Sequence, residues 1–282
     1  MSRAHLERVE RVIRHIDHHL DDKLTLATLS RVAGVSPCHF QRVFASATGM
    51  SPVRRALLLR LKRASMRLAF LRSRPITDIA LEAGFENAES FSRAFRQQFS
   101  QSPREFRRTP QWTAWHAKYR VLQRKESIKV EVRIVDFPDT KVAALEHRGP
   151  PELEYQTSRR FVEWRIANRL SPERHRTFGL HYNDSRITPP ANHRMDICVS
   201  VERDIEPNPL GVVMKVIHGG RYAVARHHGQ REDNAAARYL YDVWLPASGE
   251  TLRDDPIVFH YVNVGPQVQE HEMITDVYLP LR

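Results

Sequence analysis

Two polar sets of residues near the amino terminus have the side-chain types that contact the edges of DNA bases. The first set, in the segment PCHFQRVFASAT, is Cys38, His39, Gln41 and Arg42. The second set, in the segment AESFSRAFRQQF, is Ala88, Glu89, Ser90, Ser92, Arg93 and Arg96. Arginine binds guanine, and short polar side chains bind several bases, when they project from the start of a helix in the major groove. The alternative for such residues is an ordinary solvated helix face.

The two sets occupy equivalent positions in an internal repeat. The segment AGVSPCHFQRVFASATGMSP (33–52) aligns with AGFENAESFSRAFRQQFSQSP (83–103), with identities in the same order. Each copy predicts helix, turn, helix, because a glycine follows a first short helix and the second helix has apolar residues at helical spacing. These inward-facing residues are Phe40, Val43, Phe44 and Ala47 in the first copy and Phe91, Ala94, Phe95 and Phe99 in the second. The polar sets therefore face outward.

The net charge of the chain, +11, is concentrated in the half that holds these repeats. Residues 1–120 contain 22 basic and 10 acidic residues, a net charge of +12, whereas residues 121–282 contain 22 and 23. Most of the basic residues in the first half are arginine, whose planar guanidinium suits phosphate and guanine. Promoter DNA is therefore the expected partner of the first half.

Between the repeats, the segment SPVRRALLLRLKRASMRLAFLRSRP (51–75) predicts one long basic helix. Its apolar stripe consists of Leu57, Leu61, Ala64, Leu68 and Leu71. A basic amphipathic helix can lie on a membrane surface, or it can hold two DNA-reading units at a fixed spacing. The position of the helix between the repeats favours the second interpretation.

The second copy extends into a pattern that resembles the AraC/XylS family of transcription regulators. The pattern, GFxxxxxFxRxFxxxFxxxPxxFR, is formed by Gly84, Phe85, Phe91, Arg93, Phe95, Phe99, Pro103, Phe106 and Arg107. The resemblance covers residues 1–110 and implies seven helices, RNA polymerase as a partner, and a monomer that places two recognition helices in successive major grooves. It also implies DNA contacts at Cys38, Gln41 and Arg42 and at Ala88, Glu89, Ser90, Ser92 and Arg93.

A second internal repeat follows residues 111–127, which we interpret as a linker. With a constant offset of 80, Ala143 matches Ala223, His147 matches His227, Gly149 matches Gly229, Trp164 matches Trp244, Asn183 matches Asn263 and Asp196 matches Asp276. Each copy, 128–205 and 209–282, predicts a strand-helix-strand-strand unit preceded by one further strand. The predicted protein is thus multidomain, with an all-α tandem helix-turn-helix domain before a duplicated α+β domain. Its two helices would lie on one surface of the sheet and enclose a cleft.

The duplicated domain, placed after an AraC-type domain, resembles the GyrI-like effector-binding domains over residues 128–282. The matching parts are the HxG strand ends, at His147 and His227, and the closing YLPL. The resemblance implies that a ligand, often aromatic or cationic, binds between the copies.

Candidate cleft residues are Trp164, Tyr182, Tyr241, Trp244, Phe259 and Tyr261, with His147, His181 and His227 as polar partners. A role in the core is the alternative for each of these aromatic side chains. Many members of the family have a glutamate where Phe259 stands. Because burying a cation without a carboxylate is costly, we expect this cleft to bind neutral or weakly anionic aromatic ligands.

Patterns typical of enzymes and metal sites are missing from the sequence. GxxxxGK[ST], GxSxG and HExxH are absent, since Thr275 stands where a second zinc-binding histidine would follow His271. His15 and His19 have a metal-ligand spacing, but on a polar helix they are expected to be solvated. We therefore expect no metal, no cofactor and no enzymatic activity.

Two other functions stay open for the second domain. One is a GyrI-like hydrolase tethered to DNA, for which Asp196 or Asp276 could supply a carboxylate. The other is a protein-interaction module that binds DNA gyrase, as some GyrI-like proteins do.

Every run of about 18 residues contains a charge, so we expect neither a membrane span nor a signal peptide. Cys38 and Cys198 are expected to be reduced thiols. The sequence therefore predicts a cytoplasmic one-component regulator. Its first domain would bind promoter DNA, and its second domain would sense a small aromatic or amphipathic effector.

Overall fold

The structure is a computed structural model that describes residues 3–119, 130–231, 234–265 and 267–282. The chain divides into two compact units, Met1–Leu122 and Gln123–Arg282. Each unit is described separately.

The first unit is helical. Within residues 3–119 it contains α1 (Arg3–His18), α2 (Leu26–Ala33), α3 (Pro37–Thr48), α4 (Pro52–Phe70), α5 (Ile76–Glu82), α6 (Ala88–Phe99), α7 (Pro103–Arg108) and α8 (Trp112–Tyr119). α2 with α3, and α5 with α6, are the two helix-turn-helix units, and α4 connects them. The two turns begin at Gly34 and Gly84, whose φ angles of 69° and 79° are those that glycine adopts most readily.

Local side chains determine where these helices begin. The Thr25 hydroxyl accepts a hydrogen bond from the backbone N–H of Thr28 at the start of α2, 3.1 Å away. The Asn87 side chain accepts one from the backbone N–H of Ser90 at the start of α6, 2.8 Å away. Such caps satisfy donors that the helix itself leaves unpaired. Both helix-turn-helix units are therefore specified by residues close in sequence.

The apolar faces predicted for the two recognition helices lie in the core. Phe40, Phe44, Phe91, Phe95 and Phe99 are all buried, and Val43, Ala47 and Ala94 are half-buried. Each buried phenylalanine removes a large apolar surface from water, which holds the helix by that face. The prediction of which face turns inward is confirmed.

One helix lies where the sequence analysis placed a linker. Residues 112–119 of the expected 111–127 linker form α8, and Trp112, Trp115 and Tyr119 on it are buried. The Trp115 indole N–H donates to the Ser65 hydroxyl on α4 over 2.7 Å, and the Tyr119 ring packs 5.8 Å from that of Phe99. The seven helices expected over residues 1–110 are thus α1 to α7, and α8 is an additional helix within residues 3–119. Residues 120–129, the rest of the expected linker, lie outside the described residues.

The second unit contains an eight-stranded antiparallel sheet. Its strands are β1 (Val132–Phe137), β2 (Thr140–Arg148), β3 (Thr177–His181), β4 (Arg194–Ser200), β5 (Val213–Ile217), β6 (Gly220–His228), β7 (Ile257–Tyr261) and β8 (Ile274–Pro280). Their order is β1-β6-β8-β7-β3-β4-β2-β5. α9 (Glu154–Ala167) joins β2 to β3. A helical segment of α10 (Ala235–Tyr239), a π-helical turn (Leu240–Trp244) and α11 (Leu245–Ser248) joins β6 to β7.

The strand register shows a two-fold relationship between the copies. Gly179 pairs with Phe259 at the centre of the β3–β7 ladder, and these residues are 80 positions apart, like the repeat itself. The first strand of each copy pairs with the other copy: β1 pairs with β6, and β5 pairs with β2. Because these edge strands are exchanged, the three strands that pair within each copy are flanked by a strand of the other copy. The exchange was not foreseen from the sequence.

Both helical segments cover the same face of the sheet. α9 packs Phe161 against Ala143, Leu145, Met195, Ile197 and Val199. The second segment packs Leu240 against Ala223, Ala225, Val277 and Leu279. These strand residues share one side, because paired residues of neighbouring strands project to the same side. The side that they share is called the helix-covered face below. The other side also carries buried residues, among them Phe178, Cys198 and Val258, and is called the open face because neither helical segment packs in that cluster.

Candidate DNA-binding surface and effector-binding face

The first recognition helix, α3, presents its predicted polar set at the surface. Cys38, Gln41 and Arg42 are exposed. His39 is half-buried, and its ring lies 5.6 Å from the ring of His5 on α1. Three of the four predicted contacts are thus open to a groove, and His39 also packs within the unit.

The second recognition helix, α6, presents a charged pair. Glu89 and Arg93 form an ion pair of 3.2 Å one turn apart, and their side chains are 79% and 73% exposed. Arg96 is also exposed. In base recognition, arginine pairs with guanine and glutamate accepts from the amino group of cytosine. Because both side chains are largely exposed, this pair adds little to stability and leaves both groups accessible.

The two predicted serine contacts on α6 are less available. The Ser90 hydroxyl donates to the Asn87 carbonyl over 2.9 Å, and the Ser92 hydroxyl donates to the Ala88 carbonyl over 2.7 Å. Ser90, Ser92 and Ala88 are half-buried. A serine contact with DNA would require its hydroxyl to leave a helix carbonyl.

The connector α4 turns three of its basic residues into the protein. Arg55, Lys62 and Arg67 are buried, and Arg55 lies 3.6 Å from Asp17. Arg67 pairs with Glu82 over 2.5 Å. A helix enclosed in this way offers no apolar face to a membrane, and Arg55 is not available to a phosphate. The interpretation as a connector is the one that the packing supports.

Four of the predicted effector residues lie on the helix-covered face. Trp164 stacks on Phe161 with ring centres 5.7 Å apart, and Trp244 packs against the core under the second helical segment. Phe259 and Tyr261 are half-buried on β7, with ring centres 6.5 Å apart.

His181 joins Phe259 and Tyr261 at the centre of this face. Its ring centre is 4.2 Å from that of Phe259. A Cβ on residue 179 would lie 2.6 Å from the Tyr261 Oη and 3.0 Å from the His181 Nε2, so both polar atoms converge over Gly179. Burial lowers the pKa of His181 to about 4, and the Glu154 carboxylate nearby offsets only part of that effect. The imidazole is therefore neutral at pH 7.

His147 and His227 have another role. Both are buried, and the Nε2 of each lies against the backbone carbonyl three residues on: Pro150 at 3.2 Å and Gln230 at 2.8 Å. The Nδ1 of His147 also lies 2.8 Å from the Thr157 hydroxyl on α9. These residues were predicted as ligand partners, but their hydrogen bonds position the segments that lead into the helices.

Tyr182 lies on the open face, away from the other predicted effector residues. Its hydroxyl donates to the Asp196 carboxylate over 2.5 Å, and Lys215 binds the same carboxylate. Burial and the bond to Asp196 raise the pKa of the Tyr182 phenol. Tyr182 follows His181 directly in the chain, and successive strand residues project to opposite faces. The prediction that both line one cleft is therefore wrong.

Tyr241 is exposed on the π-helical turn, 36% accessible. Its neighbour Asp242 pairs with Arg186 over 2.8 Å. Tyr241 is therefore partly exposed, next to the ion pair that joins the helical segment to the first copy.

The two carboxylates considered for catalysis also lie on the open face. Asp196 is occupied by Tyr182 and Lys215, and Asp276 is bound by both ends of the Arg226 guanidinium, at 2.6 and 2.8 Å. Neither carboxylate faces His181. Cys38 is an exposed free thiol and Cys198 a buried one.

Two polar groups of the helix-covered face were not foreseen from the sequence. The Glu154 carboxylate on α9 lies 2.7 Å from the Nε2 of His193, which is buried. Arg231 lies with its guanidinium carbon 4.9 Å from the centre of the Tyr261 ring. The position of Arg231, two residues after Gly229 of the HxG motif, was the available signal, but the equivalent residue of the first copy is Pro151, so the repeat did not show it.

Comparison with known proteins agrees with both units. Residues 130–282 match the family described as GyrI-like small molecule binding domain. The chain belongs to the GyrI-like family. Residues 29–109 of this GyrI-like protein match a helix-turn-helix domain, of the AraC type.

Several curated proteins are similar to this GyrI-like chain. The probable transcriptional regulator YgiV of Escherichia coli (strain K12) is 43% identical over 157 residues, which are 55% of this chain and 98% of that protein. The right origin-binding protein of the same organism is 35% identical over 133 residues, 46% of this chain and 42% of that protein. The regulatory protein SoxS of Escherichia coli (strain K12) is 32% identical over 106 residues, 37% of this chain and 96% of that protein.

Among solved structures, the crystal structure of the EcmrR C-terminal domain covers 55% of this chain and 99% of its own length, with a TM-score of 0.46 and 15% identity. The cryo-EM structure of an EcmrR–DNA complex covers 91% of this chain and 98% of its own, with the same TM-score and identity.

The GyrI-like protein is a DNA-binding transcription regulator with an AraC-type helix-turn-helix domain and a GyrI-like ligand-binding domain. In the described ranges, none of the helices has the length and apolar character needed to cross a membrane. Those ranges also hold no cluster of three or more histidine, cysteine or acidic side chains arranged for a metal ion.

Proposed function

We propose that the protein binds promoter DNA as a monomer through α3 and α6, and that an aromatic effector on the helix-covered face changes its effect on transcription. Arg42 in α3, with Arg93 and Arg96 in α6, would read base edges. RNA polymerase is the expected partner at the promoter.

The DNA part of this proposal rests on the hydrogen bonds of α4 within the helical unit. The Arg54 side chain donates to the Gln98 side-chain oxygen Oε1 on α6 over 3.0 Å. On the other side, the Arg60 Nε–H donates to the Leu20 carbonyl, before α2, over 2.8 Å. A connector bonded to α6 and to the segment that leads into α2 keeps the recognition helices at one spacing. One chain then suffices for two adjacent grooves, about 34 Å apart.

Footprinting and stoichiometry test the monomer. One chain should protect about 20 base pairs of asymmetric sequence, two turns of DNA. Sedimentation of the complex with a duplex of that length should give one chain per duplex. Two chains on a palindrome would refute the proposal, because one unit of each chain would then be unused.

The effector part of the proposal is supported by the group of Phe259, Tyr261 and His181, where aromatic rings surround uncharged polar atoms. Small-molecule sites are typically apolar with a few placed polar groups. Native mass spectrometry of freshly purified protein, alone and with promoter duplex, would detect a bound small molecule and show whether it alters the fraction of protein on DNA.

We further propose that the helix-covered face binds its ligand without converting it. Asp196 and Asp276 are both engaged on the open face, and Glu154 is engaged by His193. Turnover of a bound ligand in the same mass spectra would favour the hydrolase instead, and copurifying gyrase would favour the interaction module. Because a protein that acts on promoter DNA must reach the chromosome, we also propose that it is located in the cytoplasm.

A further inference from the structure

Residues at the end of β6 and in the loop after β7 fix the position of Arg231 on the helix-covered face. The His227 Nε2 bonds to the Gln230 carbonyl over 2.8 Å, which fixes the backbone just before Arg231. The Arg231 guanidinium donates to the Asn263 carbonyl over 2.5 Å and lies against the Tyr261 ring. Its position therefore does not depend on a ligand.

Arg231 forms no ion pair with a carboxylate of the described residues. Across residues 3–119, 130–231, 234–265 and 267–282, its Nε–H is buried without a hydrogen-bond partner. A buried donor without a partner costs free energy, and more so when it belongs to a charged group. An acceptor that reached this N–H would remove that cost.

Of the ionisable groups near Tyr261 and His181, Glu154 already has a hydrogen-bond partner and His181 itself is neutral. Glu154 is occupied by His193, whose other ring nitrogen lies 3.2 Å from the Asn183 side-chain oxygen. His181 is neutral, and its Nε2 is buried without a partner in the same part of the chain. Arg231 is therefore the cation beside Tyr261 that a ligand on this face would meet.

We propose that the helix-covered face binds an aromatic acid, with Arg231 as the residue that binds its carboxylate. The ring of the ligand would lie among Phe259 and Tyr261, and the Tyr261 hydroxyl and the His181 Nε2 would bind a further oxygen or nitrogen. Arginine suits this role because its fixed N–H groups match the two oxygens of a carboxylate. This inference rests on the proposed effector function and gives the chemical class of the effector.

Calorimetric titration of the full chain with three probes tests the charge preference. 2-Naphthoate, its uncharged amide and a 2-naphthyl trimethylammonium salt have the same ring system and differ in charge. We expect naphthoate to bind about tenfold more tightly than the amide, and the ammonium salt to bind most weakly. Equal affinity for naphthoate and the amide, or no binding of any probe at millimolar concentration, would overturn the proposal.

Three variants locate the preference. Arg231→Gln should remove the advantage of naphthoate over the amide and leave the affinity for the amide unchanged. Arg231→Lys should keep part of the advantage, because it keeps the charge but not the paired geometry. Arg133→Gln, an exposed arginine on β1, should change neither affinity. Weakening of naphthoate and the amide by the same factor in Arg231→Gln would mean that Arg231 only supports the fold.

A separate measurement distinguishes this inference from the proposed function. Fluorescence anisotropy of a labelled promoter duplex, with and without saturating naphthoate, reports whether the ligand affects DNA binding, and transcription in vitro reports its effect on RNA polymerase. If naphthoate binds through Arg231 but changes neither readout, the aromatic-acid site stands and the proposed regulation by an effector fails.

Discussion

Gly179 and Phe259 lie directly opposite each other on the central strands β3 and β7, and they are the same position of the two repeats. The two-fold rotation that relates the copies exchanges these two positions. Gly179, however, has no side chain, whereas Phe259 has a large ring. Because residue 179 lacks a Cβ, the Tyr261 hydroxyl and the His181 Nε2 occupy the space above it. Because these two residues differ, the helix-covered face is not symmetric. Polar atoms lie over Gly179, and an aromatic ring lies at Phe259.

The first prediction concerns base recognition. Arg42→Ala and Arg93→Ala should each weaken binding to the cognate site by about 1–3 kcal/mol and reduce the preference over a scrambled duplex. Arg11→Ala, an exposed arginine on α1, serves as the control. Binding isotherms on both duplexes decide it. Unchanged specificity in both recognition-helix variants would mean that α3 and α6 do not read bases.

Arg55 shows why the sequence alone could not tell which basic residues of α4 are accessible to DNA. The same basic helix pattern fits an exposed and an enclosed α4, and only the packing of α1 against it shows that Arg55 pairs with Asp17. The recognition helices were predictable, because their caps and apolar spacing are local signals. Contacts between distant segments have no such signal.

The second prediction concerns α8. Trp115→Phe removes the indole N–H that donates to the buried Ser65 hydroxyl, so the first unit should lose about 1–3 kcal/mol of unfolding free energy. Urea unfolding of the full chain, followed by the helical circular dichroism signal, measures it. A Trp112→Phe variant controls for the change in ring size. Equal losses in the two variants would show that the hydrogen bond adds nothing to ring packing.

Local signals and the sequence repeat also explain which features of the second unit were predicted and which were not. The offset of 80 located all eight strands and both helical segments, because repeated spacing is visible in one chain. It did not reveal that β1 and β5 change partners, since pairing between copies leaves no local trace. The repeat also gave no indication of Arg231, because the equivalent residue in the first copy is Pro151.

The third prediction is a pH dependence. Burial lowers the pKa of His181 to about 4, so the folded protein binds this proton less readily than the unfolded chain. The stability contributed by neutral His181 is complete above pH 6.5 and is lost as the pH falls towards 4, by up to about 3 kcal/mol. His181→Asn should lose less stability between pH 7 and pH 4.5 than the wild type. Urea unfolding at both pH values tests this, and parallel losses would contradict it.

The fourth prediction concerns the charge of the helix-covered face. Phe259→Glu would place a carboxylate beside the His181 ring, and it should increase the affinity for the 2-naphthyl ammonium probe about tenfold. Phe259→Gln, of similar size and without charge, should not. Calorimetry on both variants separates charge from shape. A cation preference already present in the wild type, and unaltered by Phe259→Glu, would show that the ligand binds elsewhere.

The last prediction tests the space above Gly179. In Gly179→Ala the new methyl group would lie 2.6 Å from the Tyr261 hydroxyl oxygen and 3.2 Å from its ring carbon, so the tyrosine must move. We expect a loss of about 1–3 kcal/mol in unfolding free energy, typical of an overpacked site. Tyr261→Phe removes the closest atom, so Gly179→Ala should cost less in that background. Urea unfolding of both single variants and the double variant gives the coupling energy. Strict additivity would mean that the two residues do not compete for this space, and the polar convergence over Gly179 would then be wrong.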